Sequence, residues 1–302
     1  MVTSGVAAGL ESAVAAAVEV PSAASTSRGP RWRRWIRLVP FATFAALLGI
    51  AVAWPLIVPY GPLDNLVAPP LRPPSAEYWF GTDQFGRDVF SRVLAGARIS
   101  LTVGLSATAL ALLAGALIGG VAATARGWIS ETVMRCLDVL LAFPGILLAV
   151  VLAAGLGSGE RTVIIVLAIV YSPAVARVAR ALISAELQQD YVASARLLGA
   201  GRLRVLGYHV GANIVAPLLA FAVTVIADAI LVEAALSFIG VGIPPPAPSW
   251  GTMINEGRGF LLSGVWWVSL FPGLAIFVTV MTLNACSAAL GRRFVAGSVV
   301  RS

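Results

Sequence analysis

Few side chains in this 302-residue chain have the type and spacing that chemistry needs. His209 is the single histidine, and Cys136 and Cys286 lie far apart in sequence. One His and two separated Cys give neither metal-ligand spacing nor a disulfide framework. The chain has no Gly-x-Ser-x-Gly, no His-Glu helix pair and no paired carboxylates around a polar pocket. All 21 basic residues are Arg. A P-loop needs a Lys to reach nucleotide phosphates, so any ATP hydrolysis belongs to another subunit. The chain is therefore not read as an enzyme, and no catalytic residue, metal or cofactor of its own is expected.

Two acids remain, Asp228 and Glu233, inside an apolar run. A charge at mid-bilayer costs about 2.5–3.5 kcal/mol on insertion scales, so such residues face a bundle interior or a wet cavity. One reading has both lining a polar path for a substrate. The other places Glu233 near the outer interface, paired with an Arg.

The elements that must hold these residues are membrane helices. The chain is 59% hydrophobic and only 12% charged, a composition for a polytopic membrane protein rather than a soluble domain. Judged by the ~20 apolar residues that cross a bilayer, six spans are predicted, at 38–58, 99–125, 139–156, 162–176, 214–239 and 265–290. The fourth is short unless Arg161 and Arg177 snorkel to the interfaces. The net charge of +7 could suit nucleic acid or an acidic membrane surface. Arginine placement decides between them. With the amino terminus inside, fifteen of the 21 arginines fall on inside segments, as the positive-inside rule requires. Both termini and the segment 184–213 then face the cytoplasm, and no nucleic-acid partner is expected. Residues 1–37 read as a disordered cytoplasmic tail ending in a basic anchor. Residues 292–302 read as a second cytoplasmic tail.

The polar stretch 188–213 stands between two of these spans. Val192, Ala195 and Leu198 share one helical face. Gly199 and Gly201 then break the helix, since glycine suits a left-handed cap. A second short helix follows, with Leu203, Leu206 and Val210 on its apolar face, while Arg196, Arg202 and Arg204 point elsewhere. Such a helix-turn-helix, with small residues at its bend, invites a partner protein. An ordinary solvated loop is the plainer reading.

On the outer side, residues 59–97 open with the run Pro-Pro-Leu-Arg-Pro-Pro, which is not regular helix. The string Phe-Gly-Thr-Asp-Gln-Phe-Gly-Arg-Asp-Val-Phe-Ser-Arg follows at 80–92. Asp83 with Arg87, and Asp88 with Arg92, are i, i+4 pairs that would support a surface helix. Gly115 and Gly119 form a GxxxG, which close packing or chance explains equally. Pro144 is expected to kink the third span, and Asp138 to lie near Arg135. After the fifth span comes a Pro-rich turn containing Pro248, Ser249 and Trp250, with the Trp expected at interface depth.

Three strings resemble the membrane subunits of ABC importers, in the dipeptide and oligopeptide branch: residues 80–101, 191–199 and 236–251. The loop 188–213 resembles the EAA loop of that family. Ala195 and Gly199 match its Ala and Gly. Ala193 stands where the family often has Glu, and Ser194 where it has Ala. Gly211 and Ala212 replace the usual Leu-Pro, while His209 and Asn213 fit the peptide branch. The resemblance implies a type I importer transmembrane fold, with 98–291 as its transmembrane domain. It implies that Tyr191, Val192, Ala193, Ser194, Ala195, Arg196, Leu198, Gly199, Ala200 and Arg202 dock an ATPase. Asp83, Arg87, Asp88, Arg92, Pro248, Ser249 and Trp250 would lie at the outer gate, towards a substrate-binding protein. The implied partners are a second permease subunit, two ATPase subunits or one double ATPase, that binding protein and membrane lipid. ATP and Mg would be bound by the ATPases. Cargoes in the branch include dipeptides, oligopeptides, nickel complexes and haem. An ion- or proton-coupled secondary transporter is the alternative, although no internal repeat supports it.

Overall fold

The computed structural model describes residues 38–125, 127–201 and 204–299, and side chains up to 292. The expected tail 1–37 and the loop residue Arg202 lie outside the described residues. Among the described residues there is no strand, only a single bridge between Thr82 and Asp88.

Helix α1 (Val39–Ile57) starts at Pro40 in its first turn, where the missing N–H costs nothing. It is apolar all round, and only Ala51 is buried. Its remaining sides suit lipid. Helix α2 (Val89–Thr124) begins ten residues before the expected Ile99. Asp88 is the reason: its carboxylate accepts from the Ser91 backbone N–H at 2.9 Å and caps the helix. At 36 residues α2 is about 54 Å long, well beyond the ~30 Å hydrocarbon core.

Helices α3 (Gly127–Leu141) and α4 (Gly145–Leu156) meet at an 86° bend. The expected single kinked span over 139–156 is thus two helices. Pro144 lacks an N–H and adopts an extended ψ of 123°, so it caps α4 instead of bending a continuous helix. Helix α5 (Glu160–Glu186) runs ten residues past the expected end of the fourth span. A short α6 (Asp190–Leu197) follows, then a π-helical turn (Val205–Val210) that continues into α7 (Gly211–Ile239). Helix α8 (Trp250–Gly257) and a 3-10 turn (Arg258–Ser263) lead to α9 (Trp267–Val299). Helix α9 carries on through residues 292–299, where a tail was expected. Five helices are long and apolar enough to cross a membrane, or six if α3 and α4 count as one broken span.

The GxxxG is an α2–α5 contact and not a chance match. A Cβ on Gly119 would lie 2.4 Å from the Ala176 carbonyl oxygen, and one on Gly115 would lie 2.6 Å from Val175 Cβ. Only glycine allows the two backbones this close. Two of the core clusters around α2 join it to the other long helices. Leu101, Ile230, Trp250 and Leu283 join α2, α7, α8 and α9. Val103, Ala149, Leu167 and Leu236 join α2, α4, α5 and α7.

Candidate functional site

The connection from α5 to α7 is an ordered bend, built from its sequence as follows. Val192 on α6 is fully buried against Ile183, Val205 and Val210. Those last two valines are five apart and both buried, which suits the wider π-helical turn better than the ordinary helix expected there. Leu206 is half-buried, and Leu203 lies outside the described residues.

Gly199 has φ +84°, the left-handed conformation the sequence anticipated. The Ala200 N–H donates to the Ala195 carbonyl and the Gly199 N–H to the Arg196 carbonyl, each at 3.0 Å. This pair of bonds is a Schellman cap. Gly201 has no such conformation; one glycine makes the bend. The cap also overturns the expected apolar face. Helix α6 ends at Leu197, and Leu198 turns out of register with Val192. Leu197 and Leu198 are 90% and 89% exposed, side by side at the tip. Ala193, Ser194 and Arg196 are exposed beside them, while Ala195 and Ala200 are half-buried.

Tyr191 ties the bend to both long helices. Its hydroxyl donates to Glu186 at the end of α5 and accepts from Asn213 Nδ2 on α7 at 3.0 Å. Burial, reinforced by the Glu186 bond, pushes the Tyr191 phenol above its usual range. His209 packs near the Tyr191 ring and edge-on to Tyr208. Its role here is packing.

The outer cluster is not a surface helix. Residues 80–88 form a turn in which Asp83 Oδ1 accepts from the backbone N–H groups of Phe85 and Arg87 at 2.8 and 2.9 Å. Asp88 does not pair with Arg92; it caps α2. Arg92 reaches instead to Glu256 on α8 at 2.7 Å and towards Asp83 at 3.6 Å. Arg87 donates to Asn65 at 2.7 Å and lies over the Phe85 ring. Burial pushes the Glu256 carboxyl up, and Arg92 and Arg87 draw it back down. Ser249 caps α8, and Trp250 donates its ring N–H to the Val93 carbonyl at 3.0 Å. Trp250 is thus inside the protein and does not face lipid. All seven residues expected at the outer gate are buried. They hold a platform whose exposed side chains are others, among them Leu66, Trp79 and Phe85.

Asp228 and Glu233 do not share a face. Asp228 is exposed on α7, whereas Glu233 is 0% exposed. Among the described residues no Arg pairs with Glu233: Ser100 donates to it at 3.1 Å and Ser237 at 2.9 Å. Asp138 pairs with Arg177 across 39 residues, and Arg135 pairs with Glu131. Sequence reasoning missed Glu256 and Ser100 because their contacts join distant segments, and it missed Glu186 as Tyr191's partner although that residue is only five positions away. Among the described residues no three His, Cys, Asp or Glu side chains could hold a metal.

Comparison with known proteins supplies the family. Residues 111–297 match the family described as the binding-protein-dependent transport system inner membrane component. The chain belongs to this family. It is 42% identical over 256 residues to a putative peptide transport system permease protein of Brucella suis, covering 83% of this chain and 86% of the relative. It is similar, at 41% identity over 236 residues, to the di/tripeptide transport system permease protein DppC of Pseudomonas aeruginosa (76% and 78% covered). A glutathione transport system permease protein, GsiD of Pectobacterium atrosepticum, is 38% identical over 258 residues (84% and 85%). The fold is that of the MetNI methionine ABC transporter in an inward-facing crystal structure. The match has a TM-score of 0.55 at 16% identity and covers 67% of this chain and 96% of that one. As an inner membrane component of a binding-protein-dependent transport system, this chain is a permease subunit that works within a larger complex.

Proposed function

We propose that this permease subunit carries peptides, di- or oligopeptides, inward, and that the α5–α7 bend couples it to an ATPase on the cytoplasmic side. The observation that carries the coupling is the bend itself: two exposed leucines at the end of a short helix that hydrogen bonds fasten to both flanking membrane helices. The cargo reading rests on the peptide, di/tripeptide and glutathione permeases that the chain is similar to.

In this reading the ATPase grips α6 around Ala193, Ser194, Arg196, Leu197, Leu198 and Gly199. ATP and Mg stay on the ATPase. Closure of two ATPases, or of one double ATPase, moves the bend. The Tyr191 bonds to Glu186 and Asn213 pass that movement to α5 and α7 together. The bundle then switches between inward-open and outward-open states by a hinge-like motion. ATP must favour one state over the other for this to drive transport. A second permease subunit completes the path, with Asp228 on the exposed side of α7 as its polar lining residue. Glu233, being enclosed, supports the outer turn instead. A substrate-binding protein delivers cargo on the far side, against the platform near Trp79 and Phe85.

The test is to tag the chain, extract it in mild detergent, identify what co-purifies, and reconstitute that complex in vesicles. ATP-dependent uptake of labelled di- or tripeptide, with an ATPase and a second permease in the complex, is the expected result. Uptake without ATP by the chain alone would overturn the proposal.

A further inference from the structure

A polar cleft lies at the end of α2, at the membrane end that carries the α5–α6 connection. It has a volume of about 600 Å³ between the end of α2, the start of α3 and the last turns of α5. Its acids are already matched: Glu131 pairs with Arg135, and Asp138 with Arg177. Arg180 also lines it, half-buried, with no carboxylate or hydrogen-bond partner among the described residues. A half-buried guanidinium without an anion is unfavourable, and its fork of donors matches phosphate.

The cleft also offers neutral donors. Ser130 lines it at only 8% exposure, and its hydroxyl has no partner among the described residues. Ser184 lines it from α5, one turn beyond Arg180. Gly127 opens α3 at the rim, and the first amides of a helix have no acceptor within it and favour an anion. Trp128, in the same first turn, is exposed, as a Trp at headgroup depth would be. These observations are independent of one another, and each suits a phosphate at the bilayer surface.

We propose that this cleft binds the phosphate of an anionic lipid headgroup, with Arg180 as its counter-ion and Ser130, Ser184 and the first amides of α3 as donors. Basic pockets between membrane helices on the cytoplasmic side are suited to such headgroups. The bound lipid would brace the end of α2 against α3 and the last turns of α5. A free phosphate has the same chemistry without the acyl chains, so the test must separate the two.

The complex that co-purifies with the chain is examined by native mass spectrometry with added phosphatidylglycerol or phosphatidylcholine. Phosphatidylglycerol should be retained over phosphatidylcholine. Arg180→Gln should weaken its retention about tenfold, the size of one charge-assisted hydrogen bond. Arg180→Lys should keep most of the binding, and Arg161→Gln, at the far end of α5, all of it. If Arg180→Gln does not assemble, Ser130→Ala with Ser184→Ala tests the same cleft and should weaken retention about fivefold. Equal retention of both lipids, or unchanged phosphatidylglycerol binding in the cleft variants, would overturn the proposal. So would inorganic phosphate adducts that disappear in Arg180→Gln without any preference for phosphatidylglycerol, which would assign the cleft to a free anion.

Discussion

Ser100 on α2 donates to Glu233 on α7 across 3.1 Å, joining residues 133 apart in a wholly buried site. Ser100 also accepts weakly from the Trp250 backbone N–H, and Ser237 bridges Glu233 to the Ile243 N–H. One carboxylate thus holds two membrane helices and the outer turn in register. Glu233→Ala would strand both hydroxyls and leave a cavity. A loss of about 2–4 kcal/mol is expected, read as a lower melting midpoint of the purified complex. Glu233→Gln keeps an acceptor and should lose much less. Equal melting of all three would show that the carboxylate holds nothing.

Gly199 has open space around it, so its constraint is conformational. With φ at +84°, a β-branched residue is strained by about 1–2 kcal/mol. Gly199→Val should re-aim α6 and reduce ATP-driven uptake several-fold while the chain still inserts. Gly199→Asn, which tolerates this conformation, should keep most of it. Normal uptake by the Val variant would sink the assignment of this bend to coupling.

Leu197 and Leu198 contribute almost nothing to the chain's own packing, given their exposure. Leu197→Asp with Leu198→Asp should leave thermal stability within about 0.5 kcal/mol of the parent. Co-purification of the ATPase should fall sharply. An intact complex would place the docking contact elsewhere on the bend.

Arg92 sits between Asp83 and Glu256. Arg92→Met takes the partner from the partly buried Glu256 carboxylate and leaves Asp83 with Arg87 and its two backbone donors, a loss of about 3 kcal/mol. The outer segment 59–88 should then become sensitive to protease. Adding Glu256→Met should recover part of the loss, because one stranded charge goes with it. A single variant as stable and as protease-resistant as the parent would mean that the cluster does not fasten the segment.

Much of this protein was legible from one dimension. Apolar runs of bilayer length determine the membrane helices, because hydrocarbon leaves no other place for such segments and no other way to satisfy their backbone. The left-handed glycine at 199 was also legible, since a cap depends on its own neighbours. The breaks at Pro144 and at the π-helical turn were harder. A Pro permits either a kink or a cap, and the packing of Val205 with Val210 selects the wider turn. Charge pairing was the least legible. Asp88 and Arg92 have helical spacing, yet Arg92 pairs with Glu256, 164 residues away. Likewise Glu233 looked from its sequence like a path residue or an Arg partner, and the fold encloses it among serines. Spacing along a chain determines which partners are near in sequence. Only the tertiary structure decides which partner is desolvated together with a charge, and a buried charge takes the partner that shares its burial.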